Sequence, residues 1–368
     1  MSVGVLFGGP SPEHDISILT GLQALHELAR RGHDVIGIYW TKSGEWCSVG
    51  TGVEAEAFSE GVPKGTTPLT LRVGEEGGFY SSGARLGRDR RLDLEAVVLA
   101  THGGPGEDGT LQGALDLAGI AYSGPDVAGA SLGMDKWAFA SVAKNLGLPT
   151  LARVLWRGDD SELPFDGPYI LKPRFGGSSI GIDVVADLAT AKARLASNPH
   201  LARGCVVEPF RADLADVQIA VRTYPHVQLS AIERPLRRQR DAEILNYRDK
   251  YVGGDGMVSA PRELPAVLAS GQAQVIAACV RTLVEGASIR GVARLDFLAN
   301  DNEIYVNEVN TIPGSLSKYL FIDPPLAFGD LLEDLLREAR ERPTHRYSAL
   351  GADGLVLRSA SSIAAKLA

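Results

Sequence analysis

The chain has 368 residues, 45% hydrophobic and 22% charged, with a net charge of −8, the balance of a globular protein long enough for two or three compact domains. Its 42 glycines and 20 prolines form no repeat, which excludes collagen-like and low-complexity chains; no apolar run nears the roughly 20 residues of a transmembrane helix, and the acidic charge disfavours nonspecific nucleic-acid binding. Cys47, Cys205 and Cys279 are odd in number, widely spaced and without a CxxC, which speaks against a disulfide scaffold or structural zinc and fits a reducing cytoplasm.

Val3–Phe7 reads as a strand that reaches a Gly-Gly turn with no basic stretch before it, unlike a signal peptide. Ser11, Pro12 and Glu13 open a helix, in which Ile16, Leu19, Leu22, Leu25 and Leu28 recur at helical spacing. Asp34–Trp40 and Ala96–Ala100 are further strands, and the loop HGGPGEDGT leads into a helix over Leu111–Leu117. This alternation predicts a parallel sheet with its active site at the strand C-termini. Residues 41–95 read as an irregular hairpin or loop excursion. A helix over Met134–Leu146 is closed by Gly147 and Pro149. Longer strands follow: Tyr169–Lys172, Cys205–Phe210, Val217–Tyr224, Val227–Glu233, Gly291–Leu298 and Glu303–Asn310. Helices are expected over 264–289 and 326–342. Domain cuts fall near 126 and 208, and 344–368 reads as a terminal tail.

Four segments carry chemistry-bearing residues. In Arg294-Leu-Asp296 and Asn307-Glu308-Val-Asn310, strand alternation puts Arg294 and Asp296 on one face, and Glu308 and Asn310 on one face of theirs. A hairpin across Asn300–Asn302 would gather two carboxylates, an amide and a guanidinium, an oxygen set that suits Mg²⁺; a solvated hairpin with incidental acids is the plainer reading. In Lys172-Pro-Arg-Phe-Gly-Gly-Ser-Ser-Ile-Gly181, backbone N–H groups could wrap phosphate, although no Gly-Lys-Ser/Thr makes it a Walker A loop and, taken alone, a glycine-rich hairpin turn is the plainer reading. Asn246–Gly256 has the composition of a lid closing over an anion, or of a plain surface loop. His102, Glu107 and Asp108 share one loop and could be catalytic, metal-binding or turn-forming.

In order, LFGGPSPEHDIS, HGGPGEDGTLQGALDLAGIAYSG, MDKWAFASVAKNLGLP, LKPRFGGSSIGI, VVEPF, the DKY of 249–251, GVARLDF and NEVNTIPG resemble the D-alanine–D-alanine ligases of the ATP-grasp superfamily, across about residues 3–342. The resemblance implies a mixed α/β and α+β fold: a Rossmann-like parallel-sheet domain (1–126), a central ATP-grasp subdomain (127–208), and a C-terminal one (209–343) with a lid at 245–256. It implies ATP-dependent joining of two D-alanines through an acyl phosphate in peptidoglycan precursor synthesis, by a cytoplasmic homodimer that engages neither nucleic acid nor membrane. By position, Lys136 and Lys172 would hold the ATP α- and β-phosphates, Glu208 the adenine, Asp216 (where the family usually has Glu) the ribose, and Lys250 the γ-phosphate. Asp296, Glu308 and Asn310 would bind two Mg²⁺ ions, with Mn²⁺ as a substitute. Glu13, with His102 nearby, would take the first D-alanine's ammonium; Ser178 and Tyr251 would link Glu13 to the lid; Arg294 and the Gly314 N–H would form the oxyanion site.

The sequence departs from the family at the acceptor end. Tyr319 falls where a serine binds the acceptor's carboxylate, leaving Ser317 and Lys318 as further candidates, and Phe175-Gly176 replaces a polar pair. A ligase using a different acceptor in secondary metabolism is therefore the alternative. An idle ATP-binding protein is disfavoured by the intact metal and lysine positions, and a nicotinamide oxidoreductase by the missing GxGxxG.

Overall fold

The computed structural model describes residues 1–81, 89–236, 261–342, 348–360 and 362–364. The lid expected at 245–256, with Lys250 and Tyr251, lies outside the described residues. Three sheets organise the described residues. In the first, β1 (Ser2–Gly8) runs parallel to β2 (Val35–Trp40) and β7 (Leu94–Leu99). Both faces of β1 are buried, which is why VGVLF reads as a continuous apolar run rather than an alternation. Helix α1 (His14–Arg30) covers it. Its buried stripe passes through Ile18, Leu22, Leu25 and Leu28, whereas Leu19, expected in that stripe, is exposed. Gly21 is required there, since a Cβ at that position would sit 2.3 Å from Phe7 Cγ.

Among the described residues, the 41–95 excursion takes the hairpin form, as successive antiparallel pairs. β3 (Trp46–Val49), β4 (Thr67–Arg72), β5 (Gly78–Ser81) and β6 (Arg90–Arg91) extend the sheet antiparallel to seven strands in the order β6-β5-β4-β3-β2-β1-β7. Only Leu69 of β4 is buried, so a period-2 signal had little to show. Trp40 and Trp46 stack at 4.6 Å across the first antiparallel pair.

After the short α2 (Thr110–Leu117), the helix expected over Met134–Leu146 is α4 (Lys136–Asn145), and a further helix not expected from the sequence, α3 (Val127–Met134), precedes it. Asp135 caps α4, accepting from Trp137 N and Ala138 N, each at 3.1 Å. A four-stranded antiparallel sheet follows, β8 (Val154–Trp156), β9 (Tyr169–Pro173), β10 (Asp183–Val185) and β11 (Cys205–Pro209), ordered β10-β9-β11-β8, with α5 (Leu188–Ser197) on its core face. The third sheet is antiparallel in the order β14-β13-β12-β15-β16, from β12 (Ala215–Arg222), β13 (Gln228–Pro235), β14 (Arg262–Glu263), β15 (Val292–Ala299) and β16 (Ile304–Asn310).

Helix α6 (Gln272–Gly286) starts later than the 264 expected, after Gly271 at φ 84. It packs with α4 on the third sheet, where Phe139, Ile276, Val280, Leu295 and Phe297 form one core. A 3-10 helix (Gly314–Leu320) and α7 (Phe328–Glu341) return to the first sheet, burying Leu316, Leu331, Leu332 and Leu335 with Val5 and Leu25. The three cores are thus not three consecutive segments of chain. All three cysteines are buried and free, and no helix among the described residues is long and apolar enough to cross a membrane.

Candidate active site

The second and third sheets face each other across a cleft of about 990 Å³, lined by Lys136, Lys172, Glu208, Asp216, Asp296 and Glu308 among others. On the second sheet, Val206 pairs with Lys172, so Glu208 is Lys172's diagonal neighbour on the same face. Lys172 Nζ donates to Glu208 Oε2 at 2.9 Å and to Asn307 Oδ1 at 3.2 Å, and Arg153 Nη2 lies 3.0 Å from Glu208 Oε1. Burial alone would raise the Glu208 carboxyl, but the Lys172 and Arg153 cations outweigh it and hold it below its usual range. Glu208, expected at the adenine, thus also neutralises two buried cations, while its Oε1 has no aligned hydrogen-bond donor.

Lys136 opens α4, where it reaches both walls. Its ammonium donates to Gly176 O at 2.5 Å and lies 3.4 Å from Glu308 Oε2. Asp135, besides capping α4, accepts from Arg174 Nε at 2.9 and 3.0 Å and from Nη2 at 2.5 Å, tying that helix start to the glycine–serine loop. In this loop Ser178 and Ser179 hold φ of 53° and 57°, a left-handed conformation that costs about 1 kcal/mol or more per residue. The turn aims Ser178 Oγ at Glu13, to whose Oε1 it donates.

On the third sheet the register sets one row of side chains. Glu308 pairs with Asp296, Asp296 with Gln218, and Gln218 with Glu233, so all four share a face. Arg294 grips Asp296 through two bonds, 2.7 and 2.8 Å, and Asn310 Nδ2 donates to Asp296 Oδ2 at 3.2 Å. Asp296, Glu308, Asn310 and Arg294 are therefore brought together. β16 also carries a bulge: Asp296 faces Glu308 but Phe297 faces Val306, leaving Asn307 as the extra residue. Asn307 and Glu308 therefore both line the cleft, although neighbours on a regular strand point oppositely.

The far side of the glycine–serine loop borders a second cavity of about 1040 Å³ that includes Glu13, Gly103, Phe175, His200 and Arg203. Gly103 is needed beside it, because a Cβ there would lie 2.4 Å from Glu13 Oε2. His102, expected near the donor's ammonium, has both ring nitrogens engaged. Nδ1 donates to Ile312 O at 2.7 Å, so the neutral ring's Nε2 accepts from Thr20 Oγ1 at 2.8 Å, which accepts in turn from Ser315 N at 2.9 Å. Burial lowers the His102 pKa to about 4, and the ring anchors the turn that carries Gly314. Glu107 does the same from the other side, accepting from Gly103 N, Thr311 Oγ1 and Ile312 N at 2.9–3.2 Å. Burial, then the nearby Glu13 charge, raises its carboxyl to about 7.

At the acceptor end, Gly314 opens the 3-10 helix and Ser315, Leu316 and Ser317 all hold φ near 50°. This left-handed turn separates the expected side chains. Ser317 is fully buried with its hydroxyl unpartnered. The Lys318 ammonium lies 4.4 Å from the Phe328 ring centroid, with Glu27 as its charged neighbour, so it does not join the strand residues. Tyr319 does join them: its hydroxyl donates to Glu233 Oε2 at 3.2 Å beneath the Arg262 guanidinium. Arg153, Asn307, Glu233 and Arg262 take part without having been singled out from the sequence, whereas Glu107, one of the loop candidates, serves to hold the 311–312 turn. Asn307 stood inside a recognised motif, but only the bulge turns it inward.

Residues 2–125 match the family described as D-ala D-ala ligase N-terminus, and residues 159–337 the family described as D-ala D-ala ligase C-terminus. The D-alanine--D-alanine ligase of Campylobacter lari is 31% identical over 92% of this chain and 93% of its own length. That of Helicobacter pylori is 30% identical over 93% and 95%. Among solved structures, the D-alanine-D-alanine ligase of Helicobacter pylori superposes with a TM-score of 0.71 at 26% identity, covering 94% of this chain and all of that one. D-alanyl-alanine synthetase A of Vibrio cholerae, at 20% identity, shares the fold with a TM-score of 0.76 over 93% and 99%. The paired sheets and their cleft are the ATP-grasp arrangement, and the chain belongs to the D-alanine–D-alanine ligase family.

Proposed function

We propose that the protein is an ATP-dependent ligase that joins two D-alanines through an acyl phosphate, releasing ADP and phosphate, for peptidoglycan precursor synthesis. The observation that carries this reading is that Lys136 and Lys172 line one cleft together with the Asp296–Glu308 row. The relatives' common name favours D-alanine over another acceptor.

A carboxylate is a poor electrophile, and phosphorylation by ATP makes it one. In this reading Lys136 and Lys172 receive the α- and β-phosphates, Asp216 the ribose, and Glu208 Oε1, which has an ion pair but no aligned hydrogen-bond donor, the adenine amino group. Lys250 and Tyr251 keep the lid roles their motif implies. Asp296, Glu308 and Asn310 fit a divalent cation by chemistry, all offering oxygen. No group of three or more His, Cys, Asp or Glu gathers among the described residues to hold a metal, so water and ATP oxygens would complete the set. Bound there, Mg²⁺ or Mn²⁺ would neutralise charge on the transferred phosphoryl group. Glu13, oriented by Ser178, takes the donor's ammonium and sets its carboxylate toward ATP. Arg294 and the Gly314 N–H then stabilise the oxyanion formed as the second amine attacks. A homodimer in the cytoplasm completes this reading; light scattering tests the assembly.

The experiment is ADP release from ATP and Mg²⁺ with and without D-alanine. Release that requires D-alanine and yields D-alanyl-D-alanine supports the reading; binding of ATP without any D-alanine-dependent turnover refutes it.

A further inference from the structure

Following the cross-strand row away from Glu308 leads past Asp296 and Gln218 to Glu233. At about 4.8 Å per strand, Glu233 lies roughly 14 Å from Glu308, with Arg294 among its charged neighbours. There Glu233, 3% exposed, has a partner for each oxygen: Arg262 Nη1 lies 3.1 Å from Oε1, and the Tyr319 hydroxyl 3.2 Å from Oε2. The Arg262 guanidinium carbon sits 4.9 Å from the Tyr319 ring centroid. These residues come from three separate elements, β13, β14 and the 3-10 helix, so the fold itself assembles them.

The attacking amino acid must bring its carboxylate into this neighbourhood, beside Glu233 and Asp296. Acidic surroundings repel it, and a cation is needed. Lys318 faces Phe328 and Glu27, and Arg294 is bound to Asp296 and, in the reading above, serves the oxyanion. The Tyr319 hydroxyl is committed to Glu233. We infer that Arg262, aligned by Glu233 and stacked on Tyr319, is the residue that receives the acceptor's carboxylate in this chain. The inference rests on the ligase reading. A planar guanidinium held on two sides is pre-organised for a carboxylate, so little ordering is lost on binding. It also accounts for a tyrosine at 319: the ring serves as a platform for the arginine, and the hydroxyl fixes the carboxylate that orients it.

The test compares D-alanine with D-alaninamide as acceptor, for the wild-type chain and for Arg262→Met, Arg262→Lys and Tyr319→Phe. Hydroxylamine trapping reports the donor half separately: its nitrogen attacks the acyl carbon of the acyl phosphate, phosphate leaves, and a hydroxamate forms. Arg262→Met should raise the KM for D-alanine as acceptor about 10- to 100-fold and abolish the preference for D-alanine over its amide, with Arg262→Lys intermediate. An unchanged D-alanine KM, or a preference that persists, overturns the inference. Should Arg262→Met not fold, the other two variants decide. Each should raise the acceptor KM, Tyr319→Phe less than Arg262→Lys, and no rise in either removes Arg262 from the site. A wild-type chain that forms no hydroxamate from ATP and D-alanine refutes the ligase reading instead. If hydroxamate forms but D-alanine is not joined, the same comparison is made with the amino acid that is joined, and its amide.

Discussion

Ser178 donates its hydroxyl to the carboxylate of Glu13, a residue 165 positions earlier in the chain. The bond ties the glycine–serine loop of the second sheet to the helix start of the first domain, between the two cavities. Because the acceptor is a carboxylate, removing the hydroxyl should matter more than loss of a neutral bond. Ser178→Ala is expected to lower kcat/KM for the donor amino acid about 10- to 100-fold, with the thermal unfolding midpoint nearly unchanged. Wild-type kcat/KM would show that the link does not orient Glu13.

Glu208 neutralises Lys172 and Arg153 at once in a buried site. Taking it away leaves two buried cations without their counter-charge. Glu208→Ala should destabilise the protein by about 3–5 kcal/mol, read in chemical denaturation. A stability within experimental error of wild type would mean that Glu208 acts only on the nucleotide.

A buried group and a half-buried one beside the 311–315 turn give opposite pH dependences. His102 titrates at about 4 in the fold against 6.5 unfolded. Its contribution is present above pH 6.5 and is lost as pH falls toward 4, about 3 kcal/mol in all. Glu107 titrates at about 7 against 4.5, so its contribution is present below pH 4.5 and is lost as pH rises through 7. Between pH 4.5 and 6.5 the two offset each other. Glu107→Gln should therefore expose a steep rise in stability from pH 4 to 6.5, and His102→Gln a fall from pH 4.5 to 7. Parallel curves for the two variants would contradict these assignments.

Arg294 pairs with Asp296 through two bonds and lies within the acceptor-end charge cluster. Arg294→Ala should reduce kcat by about 10²–10³-fold, the usual loss for one oxyanion donor, with hydroxamate formation less affected than dipeptide formation. Equal loss in both would move the role of Arg294 to phosphoryl transfer.

Much of the cleft was legible because its residues lie on regular strands. Alternation alone put Asp296 with Arg294, and pairing across Asn300–Asn302 then brought Glu308 and Asn310 alongside, as the register has it. The first parallel strands and α1 were likewise readable from their apolar runs. What was not readable depends on breaks in regularity. The bulge at Asn307 reverses the face of one residue, and three left-handed residues at 315–317 send Lys318 and Tyr319 to different neighbours. Helix α3, just before Asp135, was not read from the sequence at all. Glu233 and Arg262 meet only through strand pairing at the sheet edge, which local sequence does not encode.

The central claim is that the donor's carboxylate oxygen attacks the γ-phosphorus of ATP within the Lys172–Asp296 cleft. D-Alanine labelled with ¹⁸O in both carboxylate oxygens tests it directly, by mass analysis of the phosphate released during dipeptide synthesis. An acyl phosphate route transfers one labelled oxygen into each phosphate; phosphate carrying none would contradict it.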